Sequence, residues 1–393
     1  MRADRAVNTS ELRELARRRL PRVLFDYIDG GAGDESGIAR NARAWGDYRL
    51  LPRYLVNVSA RSLATQLWSR QYAAPFGIAP VGLTGLFRPQ AERLLAEAAR
   101  EAGLPYILSG VAIAGLEEIA KIAPGQVWFQ LYAARQRSIA LDMIRRAAAA
   151  GIEVLVLTVD LPVDARRERD LRNGFRFGVR FGPSLVLDGL THPRWTLNFL
   201  RHGGLPSFDG WARYLGPDAS AGAVGALVDA ESYAPQTWAD LELYRREWPG
   251  RLVVKGLLHA DDARRALDCG VDGIIVSNHG GRQLERLPSV PEVLPAIVAA
   301  VGGRLKVMCD SGIRCGADIA VARCLGAEFV FTGRVPIYGV AAGGRAGAAR
   351  ALAILTEELD RAVGQIGVTA NAGLSRERLL GPWPDPPAPC RDS

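Results

Sequence analysis

A chain of 393 residues, 48% apolar and 23% charged, carries enough apolar side chains to bury a large core and too little charge excess to stay unfolded. Its 49 basic against 42 acidic residues leave a net charge of +7, which favours anionic partners without selecting one. No zinc-type Cys/His spacing and no RNA-stacking aromatic motif stands in it, so neither a metal site nor nucleic-acid binding is expected.

Five cysteines, Cys269, Cys309, Cys315, Cys324 and Cys390, are odd in number and irregularly spaced, which argues against a disulfide framework and for a reducing, cytoplasmic compartment. The amino terminus lacks the apolar core of a signal peptide: Thr9 or Ser10 is expected to cap a charged amphipathic helix, Glu11 to Leu20, that Pro21 stops. No apolar run is long enough to span a bilayer. Residues 1–75 read as an amino-terminal extension packed on the main domain.

From Phe76 onward one phrase repeats: a short β-branched run, a glycine or polar residue, then an Ala- and Leu-rich helical segment. The runs are Phe76 to Pro80, Pro105 to Leu108, Val127 to Leu131, Val154 to Val159, Leu252 to Val254, Gly273 to Ser277, Lys306 to Cys309 and Phe329 to Thr332. Helical patterns between them include Ala91 to Ala102, Leu116 to Ala123, Ile139 to Ala150, Asp261 to Cys269, Val290 to Val301 and Ala317 to Leu325. Alternating strand and helix predicts a parallel sheet, and eight such units predict an α/β fold, a (β/α)8 TIM barrel over 76–366. An open doubly wound sheet is the alternative, but no Gly-x-Gly-x-x-Gly follows the first run. Residues 367–393 read as a tail that ends in a Pro-rich, disordered stretch from Pro382 to Ser393.

A barrel of this kind presents its chemistry at the carboxy ends of its strands. The residues there are Val81 and Gly82, Ser109, Gln130 and Tyr132, Thr158 and Asp160, Lys255, then Ser277-Asn278-His279-Gly280-Gly281-Arg282-Gln283, Asp310 with Arg314, and Gly333-Arg334. His279 is a candidate acid or base, and Arg282 beside it can grip a carboxylate through two parallel hydrogen bonds. That pairing suits a small acid. The loops after the last two runs, Asp310-Ser311-Gly312-Ile313-Arg314 and Gly333-Arg334, join glycines to arginines and suit the phosphate of a cofactor. Each residue has a plainer alternative, a core tyrosine, a solvated lysine or a helix-capping aspartate, and the joint placement is what favours chemistry.

Ser277 to Leu284, together with Phe25-Asp26-Tyr27, Gly30-Gly31-Ala32, Phe129-Gln130-Leu131-Tyr132, Thr158-Val159-Asp160, Arg166-Arg167-Glu168, Val254-Lys255-Gly256, Asp310-Ser311-Gly312 and Gly333-Arg334, resembles the FMN-dependent α-hydroxy acid dehydrogenase and oxidase family from about Ser10 to Ile366. The mandelate dehydrogenase branch is the most similar, through Gly82-Leu83, Val186-Leu187-Asp188-Gly189 and His192-Pro193-Arg194-Trp195. The resemblance implies FMN as cofactor and a small (S)-2-hydroxy acid, mandelate-like or lactate-like, as substrate. His279 would then be the base, Asp160 its stabiliser, Arg167 and Arg282 the carboxylate clamp, and Tyr27 and Tyr132 hydrogen-bond donors to substrate. Val81, Gly82, Ser109, Gln130, Thr158, Lys255 and Ser277 would surround the flavin ring, while Asp310, Gly312, Arg314, Gly333 and Arg334 would surround its phosphate. It also implies a homo-oligomer, a tetramer. Whether the base removes the hydroxyl proton or the α-proton stays open.

About seventy residues, Ala165 to Gln236, separate the fourth run from its helix, far more than an ordinary connection. A basic run, Arg166, Arg167, Arg169, Arg172, Arg176 and Arg180, leads into Phe181, Leu185, Val186, Leu187, Leu190, Trp195, Leu197, Phe199, Leu200, Leu205, Phe208 and Trp211. Basic charge joined to such side chains is expected where a segment lies in an anionic membrane interface, so peripheral contact through 177–211 at the inner face of the cell membrane is one reading; a lid or subunit interface is the other. A membrane-bound enzyme would hand electrons to a quinone, whereas a soluble oxidase would use oxygen and make hydrogen peroxide. Gly82, where many oxidases of the family carry alanine, would leave room for an aryl group.

Overall fold

The computed structural model describes residues 2–175, 183–204, 208–216, 218–232 and 234–382, and of 183–186 the backbone only. Arg176, Arg180, Phe181, Leu205, Cys390 and residues 383–393 of the tail therefore lie outside the described residues, as do the side chains of Leu185 and Val186.

Eight parallel strands close into a barrel: β1 (Phe76–Ile78), β2 (Tyr106–Ser109), β3 (Val127–Leu131), β4 (Val154–Thr158), β5 (Arg251–Leu257), β6 (Gly273–Val276), β7 (Lys306–Cys309) and β8 (Phe329–Thr332). Each pairs with the next, and β8 returns to β1 with Val330 opposite Phe76. The expected strands differ from these by a few terminal residues, most at β5, which runs from Arg251 through Leu257 across a glycine at φ 111°. Alternate residues point inward, as the pleat requires. Ile107, Trp128, Val154, Val156, Val253, Ile275, Met308, Phe329 and Phe331 form one buried cluster inside the barrel.

One end of that interior is sealed by a hairpin that the sequence patterning did not single out. Thr65–Leu67 pairs antiparallel with Arg70–Tyr72, and its Leu67, Trp68 and Tyr72 join the interior cluster. The Trp68 and Trp128 rings lie 5.7 Å apart, those of Tyr72 and Phe329 5.4 Å, and Trp128 Nε1 donates to Tyr72 Oη at 3.3 Å.

The first 75 residues wrap the barrel with α1 (Thr9–Arg19), α2 (Arg22–Asp29) and α3 (Ser36–Gly46). The cap of α1 is Asn8, whose side chain accepts from Glu11 N, while Thr9 and Ser10 are already helical; the extended backbone of Asn8 is what frees its side chain to cap. At the other end α7 (Arg334–Gln365) joins two helical segments at Gly344 (φ 63°, ψ −143°), and Leu379–Leu380 pairs antiparallel with Arg49–Leu50.

The long connection after β4 holds α4 (Glu168–Asn173), α5 (Pro183–Thr191), α6 (Pro193–Arg201), Asp209–Ala212 and Ala221–Glu231 before the outer helix Trp238–Glu247. Its contents divide in a way composition did not reveal. Trp195, Phe199, Phe208 and Trp211 are buried against the barrel mouth, with Trp195 Nε1 donating to Leu86 O and Trp211 Nε1 to Gly110 O. Indole rings bury when a carbonyl can take their N–H, so these aromatics dock the segment instead of facing outward. Leu187, Leu190, Leu197 and Leu200 remain 65%, 70%, 50% and 67% exposed. The basic run is likewise partly consumed: Arg169 pairs with Asp26, Asp29 and Glu35, and Arg172 with Glu168. Among the described residues no helix is long and apolar enough to cross a membrane.

Candidate active site

Parity along the strands decides which side chains reach the open end of the barrel. Inward residues continue at every second position, so Ile107 is followed by Ser109, Trp128 by Gln130, Val156 by Thr158, Val253 by Lys255, Ile275 by Ser277 and Met308 by Asp310. Apolar layers thus give way to a polar one at the same register. Above it lies a cleft of about 1030 Å³, a volume that includes the open solvent at its mouth.

His279 forms the wall after β6 with φ 57°, a backbone conformation that costs a side-chain-bearing residue energy and persists only where neighbours enforce it. They do so here. Ser277 Oγ accepts from His279 N at 3.0 Å, Ser311 Oγ accepts from Asn278 N and Gly280 N, and Asn278 exchanges both amide hydrogen bonds with Asn41 of α3, at 2.6 and 2.8 Å. Trp45, one helical turn on, donates from Nε1 to Ser311 O. Asn41 and Trp45 were not foreseen as site residues, and only their helix-like spacing could have hinted at them; Ser311 was expected only as part of the phosphate loop, and its role in holding the His279 turn was not.

His279 Nδ1 lies 2.9 Å from Asp160 Oδ1 and Nε2 lies 3.5 Å from Tyr132 Oη. An ionised carboxylate only accepts, so the Nδ1 proton is the donor and Nε2 is left as the acceptor facing the cleft. Burial pushes the imidazole below its ordinary value against the pull of Asp160, which keeps it neutral. For Asp160 burial works upward, but His279 and Lys255 outweigh it and hold the carboxyl below the usual range. Lys255 Nζ, buried at the base, is 3.0 Å from Ser277 Oγ, 3.3 Å from Asp310 Oδ2 and 4.0 Å from Asp160 Oδ2. Burial opposes its charge, yet Asp310 and Asp160 raise it above the ordinary lysine value.

Three residues past His279 along the same loop, Arg282 donates to the carbonyls of Tyr27 and Gly30 and stacks its guanidinium 4.8 Å from the Tyr27 ring centre. Arg167 donates to Arg282 O and to Gln283 Oε1, and Gln283 Nε2 donates to Asp160 O, so the two arginines and the His–Asp pair belong to one network. Arg314, Gly312, Gly333 and Arg334 line the far side with Val81 and Gly82. Arg334 spends Nε, Nη1 and Nη2 on Ile28 O, Gly280 O and Gly30 O; burial and the nearby Arg314 pull it down to about 9. Tyr27, Val81, Gly82, Tyr132, Arg167, Lys255, His279, Arg282, Asp310, Gly312, Arg314, Gly333 and Arg334 thus share one lining, while Ser109, Gln130, Thr158, Asp160 and Ser277 lie behind it.

Two observations say what this cleft accepts. Arg167, Lys255, Arg282, Arg314 and Arg334 face it with Asp310 as the acid among its lining, so anions fill it favourably. Gln130 Nε2 and Thr158 Oγ1 are buried with no hydrogen-bond partner, a costly state that polar atoms of a bound ring edge relieve. A cofactor with a polar-edged ring and a phosphate fits both.

Comparison with known proteins agrees with this chemistry. FMN-dependent dehydrogenases as a family match residues 16–380. The chain is 41% identical over 373 residues to (S)-mandelate dehydrogenase of Pseudomonas putida, covering 95% of this chain and 93% of that one. It is 40% identical over 378 residues to L-lactate dehydrogenase of Stenotrophomonas maltophilia (strain R551-3), covering 95% and 98%. The crystal structure of the monotopic membrane protein (S)-mandelate dehydrogenase superposes with a TM-score of 0.92 at 40% identity, covering 96% of this chain and all of that one. The chain belongs to the FMN-dependent dehydrogenase family.

Proposed function

We propose that this chain oxidises an (S)-2-hydroxy acid, mandelate-like or lactate-like, to the 2-oxo acid and passes the electrons to a quinone. The observation that carries the reading is the neutral imidazole of His279, its Nε2 held as an acceptor by Asp160 at Nδ1, in a cleft that also holds Arg167 and Arg282. FMN, when bound, supplies the two-electron acceptor that no side chain can provide.

Ser109, Gln130, Thr158, Ser277, Lys255, Val81 and Gly82 would hold its ring, and Asp310, Gly312, Arg314, Gly333 and Arg334 the phosphate end. Arg282 and Arg167 bind the substrate carboxylate, and Tyr27 and Tyr132 steady the carboxylate and hydroxyl. This fixes the substrate carbon in one orientation. His279 Nε2 takes the proton that leaves the substrate, and Asp160 stabilises the imidazolium that results. Lys255 keeps a positive charge at the base of the cleft, where electron density collects as substrate is oxidised.

Support for the aryl-accepting form comes from the (S)-mandelate dehydrogenase relative. At Gly82 a Cβ would meet Val111 Cγ2 at 2.5 Å, so the glycine makes room for Val111 in the cleft wall, and a larger residue there would have to displace it. Support for the quinone comes from the four exposed leucines of α5 and α6 and from the monotopic membrane relative, and it favours a peripheral membrane location over a soluble, oxygen-using oxidase.

Anaerobic addition of mandelate, lactate or glycolate to the flavin-loaded protein tests the reading. Bleaching by mandelate or lactate, with slow reoxidation by oxygen and fast reoxidation by a quinone analogue, is expected. A clear preference for glycolate counts against the aryl pocket, and stoichiometric peroxide at a rate matching turnover counts against the quinone.

A further inference from the structure

Outside the active site, a second cavity lies where the amino-terminal segment, α6 and the kink of α7 meet. It is lined by Arg2, Arg18, Arg19, His192 and Arg194, and by the small residues Ala342 and Gly343 beside the kink. Arg2 is paired with Asp4, which also lines the cavity, Arg18 with Glu14, and His192 lies 3.4 Å from Asp188. Among the described residues Arg19 and Arg194 have no acidic partner.

Arg88 lies beside the same kink, outside the cavity lining. Its Nη1 is buried without any hydrogen-bond partner. Gly344, at φ 63°, leaves the room it occupies, since a Cβ there would meet Arg88 Nε at 2.9 Å and Cζ at 3.1 Å. Arg88 is pulled down to about 10 by burial and then by Arg19, while Arg19 is itself lowered by burial and by Arg194. Arg19 and Arg194 therefore line the cavity without an acidic partner among the described residues, and Arg88 packs against Gly344, next to the Ala342 and Gly343 that line it. A protein gathers like charges at a cost in stability unless an anion joins them.

The position of the cavity says how the anion arrives. Its rim is the start of α6, and α5 and α6 carry Leu187, Leu190, Leu197 and Leu200 exposed. A phosphate group attached to an acyl chain satisfies both surfaces at once, the charge in the arginine cavity and the chain along the leucines.

We propose that Arg19 and Arg194, with Arg88 next to the cavity at the kink of α7, form a binding site for the phosphate of an anionic phospholipid headgroup, seated beside the exposed leucines of α5 and α6. The site rests on the proposed membrane-surface location and makes it specific. Guanidinium groups fixed at these positions would make binding depend on them more than on total charge.

The experiment uses the flavin-loaded full chain and vesicles of phosphatidylcholine with or without phosphatidylglycerol. Vesicle affinity is measured for the parent, for R19Q/R194Q, for R88Q and R88K, and for the charge-matched control R246Q/R264Q on the outer helices of the barrel. Binding of the parent to the anionic vesicles is expected to weaken at least about tenfold in R19Q/R194Q, and less in R88K than in R88Q, with the control near parent affinity. Hydroxy acid turnover with a soluble dye reports that each variant is folded.

Equal loss in the control and in R19Q/R194Q would make the effect one of general charge and overturn the site. Unchanged vesicle binding in R19Q/R194Q would overturn it while leaving the membrane reading standing. No vesicle binding by the parent would sink both. Inorganic phosphate separates the two sources of the anion: if it raises the melting temperature of the parent but not of R19Q/R194Q, and the variants bind vesicles normally, the cavity holds free phosphate and the lipid assignment fails.

Discussion

At the scale of single residues the site depends on His279 staying neutral and aimed. Replacing it with glutamine keeps a group of similar length that cannot accept a proton at neutral pH, so H279Q is expected to retain yellow flavin while substrate reduction falls by roughly 10²- to 10⁴-fold; near-normal anaerobic bleaching would remove the assigned base. The depressed imidazole value sets a pH profile as well. Neutral imidazole is the working form and burial lowers its pKa below the ordinary 6.5, so kcat/KM stays flat through neutrality and falls only as acid protonates it. Asp160 pulls the other way. In D160N that pull is gone, so the acid limb moves to still lower pH while the rate drops; a limb that moves upward would mean that the titrating group is not His279. The residues themselves were largely legible, because the polar layer follows the inward apolar one by two positions along each strand. Their partners were not: nothing in the spacing of Arg334 says that three backbone carbonyls already hold it.

At the scale of elements, α3 governs the site without touching substrate. Asn41 holds the amide of Asn278 in the loop that carries His279, and Trp45 holds the carbonyl of Ser311 in the loop beside Gly312. N41L leaves the buried Asn278 amide short of partners, at a cost of ~1–3 kcal/mol, and relaxes the left-handed turn at His279. We expect it to lower kcat more than substrate affinity, with flavin still bound, measured by stopped-flow reduction alongside a melting curve. A variant that loses stability but reduces flavin at the parent rate would show that α3 is only a prop. The order of strands and helices was readable from the repeating β-branched and Ala/Leu phrases, since period two and period 3.6 survive in any context. The division of the insertion into a docked aromatic side and an exposed leucine side was not, because both sides are apolar and only tertiary contacts sort them.

At the scale of the whole molecule, the barrel is asymmetric along its axis. The hairpin from Thr65 to Tyr72 fills one end, packing Trp68 and Tyr72 against Trp128 and Phe329 of the barrel, and the chemistry occupies the other. Its short strands escaped notice in the sequence because Thr-Gln-Leu-Trp-Ser-Arg-Gln-Tyr lacks a glycine turn signal and sits ahead of the repeating units. A plug of this kind means that traffic is one-way in space and must be ordered in time. The fuel acid, the spent keto product and whatever collects the electrons all use the same doorway, so the enzyme is expected to complete one half of its cycle and clear the threshold before the next visitor enters. Steady-state plots at several fixed acceptor concentrations should then run parallel, and converging lines would mean that a second way in exists.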